Sequence, residues 1–384
     1  MTTRSHDVLT GGPEGEGGPF LSASGRSGWR RRSRNPMRPG LLPGVLLTTT
    51  FVAIAVAAVL SFVGLPYAVM SPGPATNILG TSDGKPLLEV KGAQTYPTQG
   101  RLDFTTVSVR GGPGVRVTVY DVLRAWVSSS EEVLPEEQLF PPDTTEEQVQ
   151  EEGAAEMAGS QNVAAATALR ALGKEVPQVV AIAGVPTDSP SKDVFKAGDV
   201  LVSVDGDEAT TADAVRAAVQ RHSPGDTFPV VVRRDDREQT LTARTAAAQG
   251  RTVMGVGLSI DYDLPVDVTL NTGSVGGPSA GLMFSLAIYD VLTPGGLTGG
   301  KDVAGTGTMQ DDGTVGPIGG IRQKLVGART EGADYFLAPA DNCDEVVGHV
   351  PAGLHVVRVA TFAEGRAAVE AIAKGDDAAL PSCG

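Results

Sequence analysis

Gly276-Gly277-Pro278-Ser279-Ala280-Gly281 and Gly319-Gly320-Ile321-Arg322-Gln323-Lys324 bracket the stretch 271–324 around which the chain is organised. The first block sets a serine where a glycine-rich turn runs into an apolar helix, predicted from residue 279 to about 292. Gly276 and Gly277 let the backbone turn with little steric restriction, and Pro278 presets a first helical turn. Ser279 then meets the free amides and positive end of that helix, a ready oxyanion site. The run Leu282-Met283-Phe284-Ser285-Leu286-Ala287-Ile288 is apolar on nearly all faces, which predicts burial. The second block predicts a helix over 321–330, with Ile321, Leu325 and Ala328 on one apolar stripe and Lys324 at its edge. A lysine held toward the core loses solvation, its pKa falls, and its neutral amine becomes a base for the serine proton. A lysine snorkelling to solvent is the plainer alternative.

Composition narrows the function classes. The chain has 384 residues, a formal charge of −14, 41% hydrophobic and 20% charged residues. That length suggests two or three domains, and that charge argues against a nucleic-acid binder. Two cysteines and four histidines, the latter at 6, 222, 349 and 355, leave no Cys/His cluster for a metal. No cofactor is expected.

Residues 1–40 read as a disordered tail ending in Arg26, Arg30, Arg31, Arg32, Arg34 and Arg38. No charged residue occurs from Pro39 to Ser82, and the apolar run 45–65 is long enough to cross a bilayer. The expected membrane helix spans 41–68, with the arginines holding the N-terminus in the cytoplasm and everything after Pro66 outside. A cleaved signal peptide is the alternative, disfavoured by the long apolar region and by Ala68-Val69-Met70, which is no small-x-small site. Ser71-Pro72-Gly73-Pro74 reads as a stiff link, 86–92 and 102–109 as strands, 131–153 as a solvated acidic loop, and 144–172 as a helix.

Residues 176–247 form a separate unit. Strands are expected at 179–182, 200–204 and 228–233, a hairpin turn at Asp205-Gly206 and a helix over 211–220. Gly198-Asp199-Val200-Leu201-Val202-Ser203-Val204-Asp205-Gly206 followed by a helix resembles a PDZ domain of the bacterial type. The resemblance implies capture of peptide ends by strand addition. The family's carboxylate-binding loop would precede Val179, where Gly173-Lys174-Glu175-Val176-Pro177 matches poorly, so a rigid spacer stays open as the other reading. Beyond it, strands are expected at 254–260, 266–270, 335–337 and 355–359, with helices near Asp344 and over 363–373.

The serine and lysine blocks, with Gly305-Thr306-Gly307-Thr308, Gly313-Thr314-Val315-Gly316-Pro317-Ile318 and Phe336-Leu337-Ala338-Pro339-Ala340-Asp341-Asn342, resemble the proteolytic domain of Lon proteases, peptidase family S16. The resemblance implies a Ser-Lys dyad at Ser279 and Lys324, with Thr306 supporting the lysine and Gly277 and Pro278 shaping the turn. Gly100-Arg101-Leu102-Asp103-Phe104-Thr105 and Met157-Ala158-Gly159-Ser160-Gln161 resemble earlier parts of the same domain. The implied fold is an α/β (α+β) Lon-type domain with an inserted PDZ domain, preceded by one transmembrane helix, similar to membrane-anchored PDZ-containing Lon-like proteases of bacteria. The implied layout is 71–173 and 252–376 for the proteolytic domain, 175–248 for the PDZ domain and 377–384 for a tail.

Lon itself carries an ATPase. Gly295-Gly296-Leu297-Thr298-Gly299-Gly300-Lys301-Asp302 imitates a P-loop, but Asp302 stands where Ser or Thr would hold magnesium, and a helix precedes it where a strand is needed. The expectation is an ATP-independent endopeptidase acting outside the cytoplasm on unfolded or membrane-associated proteins. A catalytically silent PDZ scaffold is the alternative. Lon-type rings imply a homo-oligomer by resemblance. Cys343 and Cys383, both in the expected exterior part, form either a disulfide or two buried thiols.

Overall fold

The uncharged N-terminal segment forms helix α1, Leu41–Leu60. The computed structural model describes residues 41–384 apart from 83, 249, 377 and 379, with backbone alone for 41–43; the tail expected over 1–40 lies outside the described residues. Val45, Leu47, Phe51, Ile54 and Val59 of α1 are exposed. Among the described residues no helix is long and apolar enough to cross a membrane. The helix expected to reach residue 68 stops at Leu60, because Gly64 and Pro66 break it and the chain turns into β1, Gly64–Leu65, and β2, Tyr67–Asn77.

The segment expected as a stiff link lies inside β2. A bulge between Pro72 and Ala75 absorbs the two prolines, which lack N–H donors. After the hairpin β3, Thr81–Ser82, and β4, Lys85–Pro86, come β5, Leu88–Lys91, and the long β6, Arg101–Arg110. The short β7, Val117–Thr118, pairs with β1 and leads into α2, Val119–Val127, through a Thr118/Asp121 capping box. The acidic stretch is no loop at its start: β8, Glu132–Pro135, pairs with β2 because Val133 and Leu134 supply an apolar rung among the glutamates. A second capping box, Thr145/Gln148, starts α3, Glu146–Ala171, whose C-terminal half is buried.

The PDZ-like unit contains β9, Gln178–Gly184; β10, Val200–Val204; β11, Asp207–Glu208; α4, Ala212–Gln220; β12, Thr227–Arg234; and β13, Arg237–Arg244. Asp205 and Gly206 both have positive φ, 51° and 86°, as a tight hairpin turn requires. Thr211 caps α4 rather than opening it. A hairpin of β14, Ala246–Ala248, and β15, Arg251–Val253, then leads to β16, Gly257–Tyr262. The sheet runs β13-β12-β10-β9-β16, so the strand expected over 254–260 adds to the edge of this sheet, antiparallel to β9.

Next come β17, Asp267–Leu270, paired with β5; α5, Gly281–Val291; β18, Asp302–Gly305; and the hairpin β19, Thr308–Met309, with β20, Val315–Gly316. They are followed by α6, Ile321–Thr330; β21, Tyr335–Pro339; α7, Cys343–Val346; β22, His355–Val359; and α8, Phe362–Lys374. The second large sheet runs β22-β21-β18-β6-β2-β8, parallel from β22 to β6 and antiparallel beyond. Strands from before and after the PDZ-like unit therefore share one sheet. Its core joins Phe104 of β6 to Phe284 of the largely buried α5, rings 5.5 Å apart. Arg170 of α3 bonds to Asp311 of the β19–β20 turn at 2.6 Å and stacks over Tyr262 of β16, tying β16 to the β19–β20 hairpin.

A disulfide joins Cys343 to Cys383, 40 residues apart in sequence, and holds the tail against α7. Replacing both cysteines with serine is expected to lower the unfolding free energy by about 2–4 kcal/mol in denaturant titrations. The unreduced protein should show no alkylatable thiol by mass spectrometry.

Candidate active site

The serine turn is held in place by glycines that let backbone touch backbone. A Cβ on Gly276 would lie 3.1 Å from Cα of Gly153 in α3, and the Gly277 N–H donates to the Gly153 carbonyl at 3.0 Å. Gly277 itself has φ near +90°, open to glycine and unfavourable elsewhere. Ser160 of α3 donates to the Pro278 carbonyl at 3.0 Å. At the mouth of α5, a Cβ on Gly281 would meet Met309 at 2.9 Å. The turn is thus wedged between α3 and the β19–β20 hairpin.

Ser279 is not the first residue of the helix. It lies in the turn two residues ahead of α5, whose N-cap is Ala280, and Pro278 stands outside the first helical turn. The reason is a competing set of bonds. The Ser279 carbonyl accepts the Gly307 N–H at 2.8 Å and the Thr306 hydroxyl at 2.9 Å, while the Leu282 N–H donates to the Gly307 carbonyl at 3.1 Å. A carbonyl engaged in this way is turned toward the β18–β19 connection rather than along a helix. The Ser279 and Ala280 N–H groups have no acceptor among the described residues.

Helix α6 delivers the lysine. Its N-cap is Gly320, which has φ +70° and no room for a Cβ beside Met70 and Val107. Ile321, Lys324, Leu325 and Ala328 are buried along the expected stripe, and Gly327 abuts the Gly73 carbonyl at the β2 bulge. Lys324 is 2% exposed, so the snorkelling alternative is excluded. Its Nζ bonds to Ser279 Oγ at 2.8 Å and to Thr306 Oγ1 at 2.9 Å, and it makes no ion pair among the described residues. Burial alone lowers its pKa from 10.5 to about 7. Thr306 is fully buried and bonds to both the lysine and the serine carbonyl.

Sequence reasoning missed several supports. Asn342 grips Ile318 from both sides, accepting its N–H and donating to its carbonyl at 2.9 Å each, and so fixes the loop leading to Gly319-Gly320. The block ending in Asn342 was recognisable; its role needed the fold. Gly153 carried no signal amid glutamates. The cleft over Ser279, about 400 Å³, is lined by Phe104, Thr106, Val107, Met157 and Val275 as well as Lys324. The P-loop imitation is a turn leading into β18, with the Leu297 N–H bonded to the Asp290 carboxylate at 2.6 Å.

The segment 173–177, which matches the family's loop poorly, and the opening beside α4 lie apart in the PDZ-like unit. Residues 173–177 follow α3, where Arg170 bonds to the Val176 carbonyl at 2.7 Å. The segment Met254-Gly255-Val256-Gly257, just ahead of the edge strand β16, lines an opening of about 710 Å³ against Val215 and Val219 of α4.

Residues 155–245 match the PDZ domain family, and residues 252–365 match the family described as the Lon protease (S16) C-terminal proteolytic domain. The Lon protease of Azospirillum brasilense is 38% identical over 102 residues, 26% of this chain and 12% of that protein. Lon protease 1 of Thermus thermophilus is 36% identical over 90 residues, 23% of this chain and 11% of that protein. The chain therefore spans only a small part of the curated relatives it matches. The solved PDZ domain of the SdrC-like protein from Listeria monocytogenes is 23% identical, with a TM-score of 0.20, over 21% of this chain and 85% of that one. The family boundary falls before β16, whereas the sheet takes β16 in. Ser279, Thr306 and Lys324 all lie within the S16 match, and these similarities support a serine peptidase joined to a PDZ domain.

Proposed function

We propose that this chain is a membrane-anchored endopeptidase that cleaves unfolded or otherwise accessible protein chains outside the cytoplasm without ATP, using Ser279 as nucleophile and Lys324 as base. The observation that carries the proposal is a lysine stripped of water, bonded to a serine and facing no carboxylate. A silent scaffold has no use for such a lysine, since burying an ammonium is costly without a partner.

In acylation the neutral Lys324 amine takes the Ser279 hydroxyl proton as Oγ bonds to the substrate carbonyl carbon. The Ser279 and Ala280 N–H groups, beside the N-terminus of α5, donate to the oxyanion. Collapse breaks the carbon–nitrogen bond, and the Lys324 ammonium returns its proton to the leaving amine. In deacylation water loses a proton to Lys324 and attacks the ester, and that proton goes back to Oγ as the acyl group leaves. Thr306 aims the amine throughout.

Freedom from ATP is supported by the failed P-loop imitation around Asp302. Anchoring is supported by the uncharged sequence of α1, its exposed apolar side chains and the arginines preceding it. The open edge of β16 beside α4 offers a place for a peptide to add as a strand.

With an unfolded protein as substrate and no nucleotide, Ser279→Ala should abolish cleavage, and Lys324→Met should lower kcat/KM by about 10²- to 10⁴-fold. Retention of wild-type cleavage in either folded variant would place the chemistry elsewhere. In the wild type, kcat/KM should rise with pH through an apparent pKa near 7, the value of the buried amine. The same shift carries a stability consequence. The folded pKa lies below the unfolded one, so the unfolded state binds more protons between about pH 7 and 10.5 and stability rises with pH across that window. Lys324→Met should therefore stabilise the fold by about 3–5 kcal/mol below pH 7, fading toward pH 10, in pH-resolved denaturation.

A further inference from the structure

Helix α2 has three sides, and one of them is unaccounted for. Val122 and Ala125 face inward against Val69 and Val117. Asp121 and Arg124 occupy a polar side, in ion pairs with Arg110 and Glu131. Tyr120, Leu123, Trp126 and Val127, at i, i+3, i+6 and i+7, form an apolar stripe open to solvent, with Trp126 73% exposed. An exposed apolar patch of this kind marks an interaction surface.

What α2 is attached to indicates what covers the stripe. β7, which leads into α2, pairs with β1, which begins just past the end of α1. The Tyr120 hydroxyl donates to the Ala57 carbonyl in the last turns of α1 at 3.2 Å. Phe62, 81% exposed, and Val63 lie at the same junction. The stripe therefore continues the apolar surface where α1 ends. Its aromatic content is that of residues that settle at a membrane–water interface. One unpaired cation accompanies it: Arg116 beside Gly64 is exposed and makes no ion pair among the described residues, whereas Arg110 and Arg124 are held by Asp121 and Glu131. In a chain of net charge −14 an unpaired arginine next to an apolar stripe suits a lipid headgroup phosphate rather than the acidic remainder of the protein.

We propose that the outer side of α2 lies in the headgroup–acyl boundary of the bilayer, a second membrane contact that docks the globular part against the lipid surface. The proposal rests on the reading of α1 as a membrane anchor. Its chemistry is that of an interfacial helix, with Trp126 and Leu123 among the acyl chains and Arg116 at the phosphates.

The chain contains two tryptophans, so Trp29→Phe leaves Trp126 as the sole reporter. The full-length variant is reconstituted into phosphatidylcholine/phosphatidylglycerol vesicles, with and without bromine near the glycerol end of the acyl chains, and floated on a density gradient. Flotation with blue-shifted Trp126 emission that loses most of its intensity in brominated vesicles is the expected result. Adding Leu123→Glu should return that emission to the red and remove the quenching while flotation persists. Flotation with red-shifted, unquenched Trp126 overturns the inference and leaves the anchor intact. Blue-shifted emission that bromine does not quench, varying with the protein-to-lipid ratio, assigns the stripe to a second copy and also overturns it. Failure to float overturns the anchor reading and this inference together.

Discussion

The site depends on one desolvated amine. Lys324 lies on the core-facing stripe of α6 with Ile321, Leu325 and Ala328, almost wholly buried, and meets the cleft over Ser279 at its amine end. Its partners are two hydroxyls and no carboxylate, so burial is not offset by an opposite charge and lowers the pKa. Nucleophile activation by a lysine requires this condition, and much of the surrounding architecture serves to maintain it.

That maintenance is long-range. Thr306 reaches both the amine and the Ser279 carbonyl, Gly307 closes two more bonds onto the serine turn, and Gly153 and Ser160 press on it from α3. β6 joins the β18 side of the sheet to β2, against whose bulge α6 rests at Gly73. Segments on either side of the PDZ-like unit are thus parts of one structural frame, and Arg170 links that frame to β16 through Asp311 and Tyr262. Rigid positioning of this kind allows a single hydrogen bond between amine and hydroxyl to be held ready.

Much of the site was legible because its determinants are local. Gly319-Gly320 followed by an apolar stripe fixed the bounds of α6 at 321–330, and the side of that helix carrying Lys324 followed from its period. The Asp205-Gly206 turn and the strand at 200–204 were likewise readable. The misplacements have a common physical cause in partners distant along the chain. Ser279 reads as helical until Gly307 and Thr306 claim its carbonyl. The prolines at 72 and 74 read as a link until β6 pairs across the bulge, and the glutamates around Val133 read as a loop until β2 recruits them. A strand is expected over 254–260, but only the sheet order shows that β16 forms an edge next to α4, beside the opening lined by residues 254–257.

The account stands or falls on the protonation state of Lys324. Selective ¹³Cε and ¹⁵Nζ labelling of lysine, with Lys324→Met supplying the assignment, allows its ammonium to be titrated directly by NMR in the free protein. The account predicts a midpoint near 7. A midpoint near the ordinary 10.5 would contradict it, because a charged Lys324 could not accept the Ser279 proton at neutral pH.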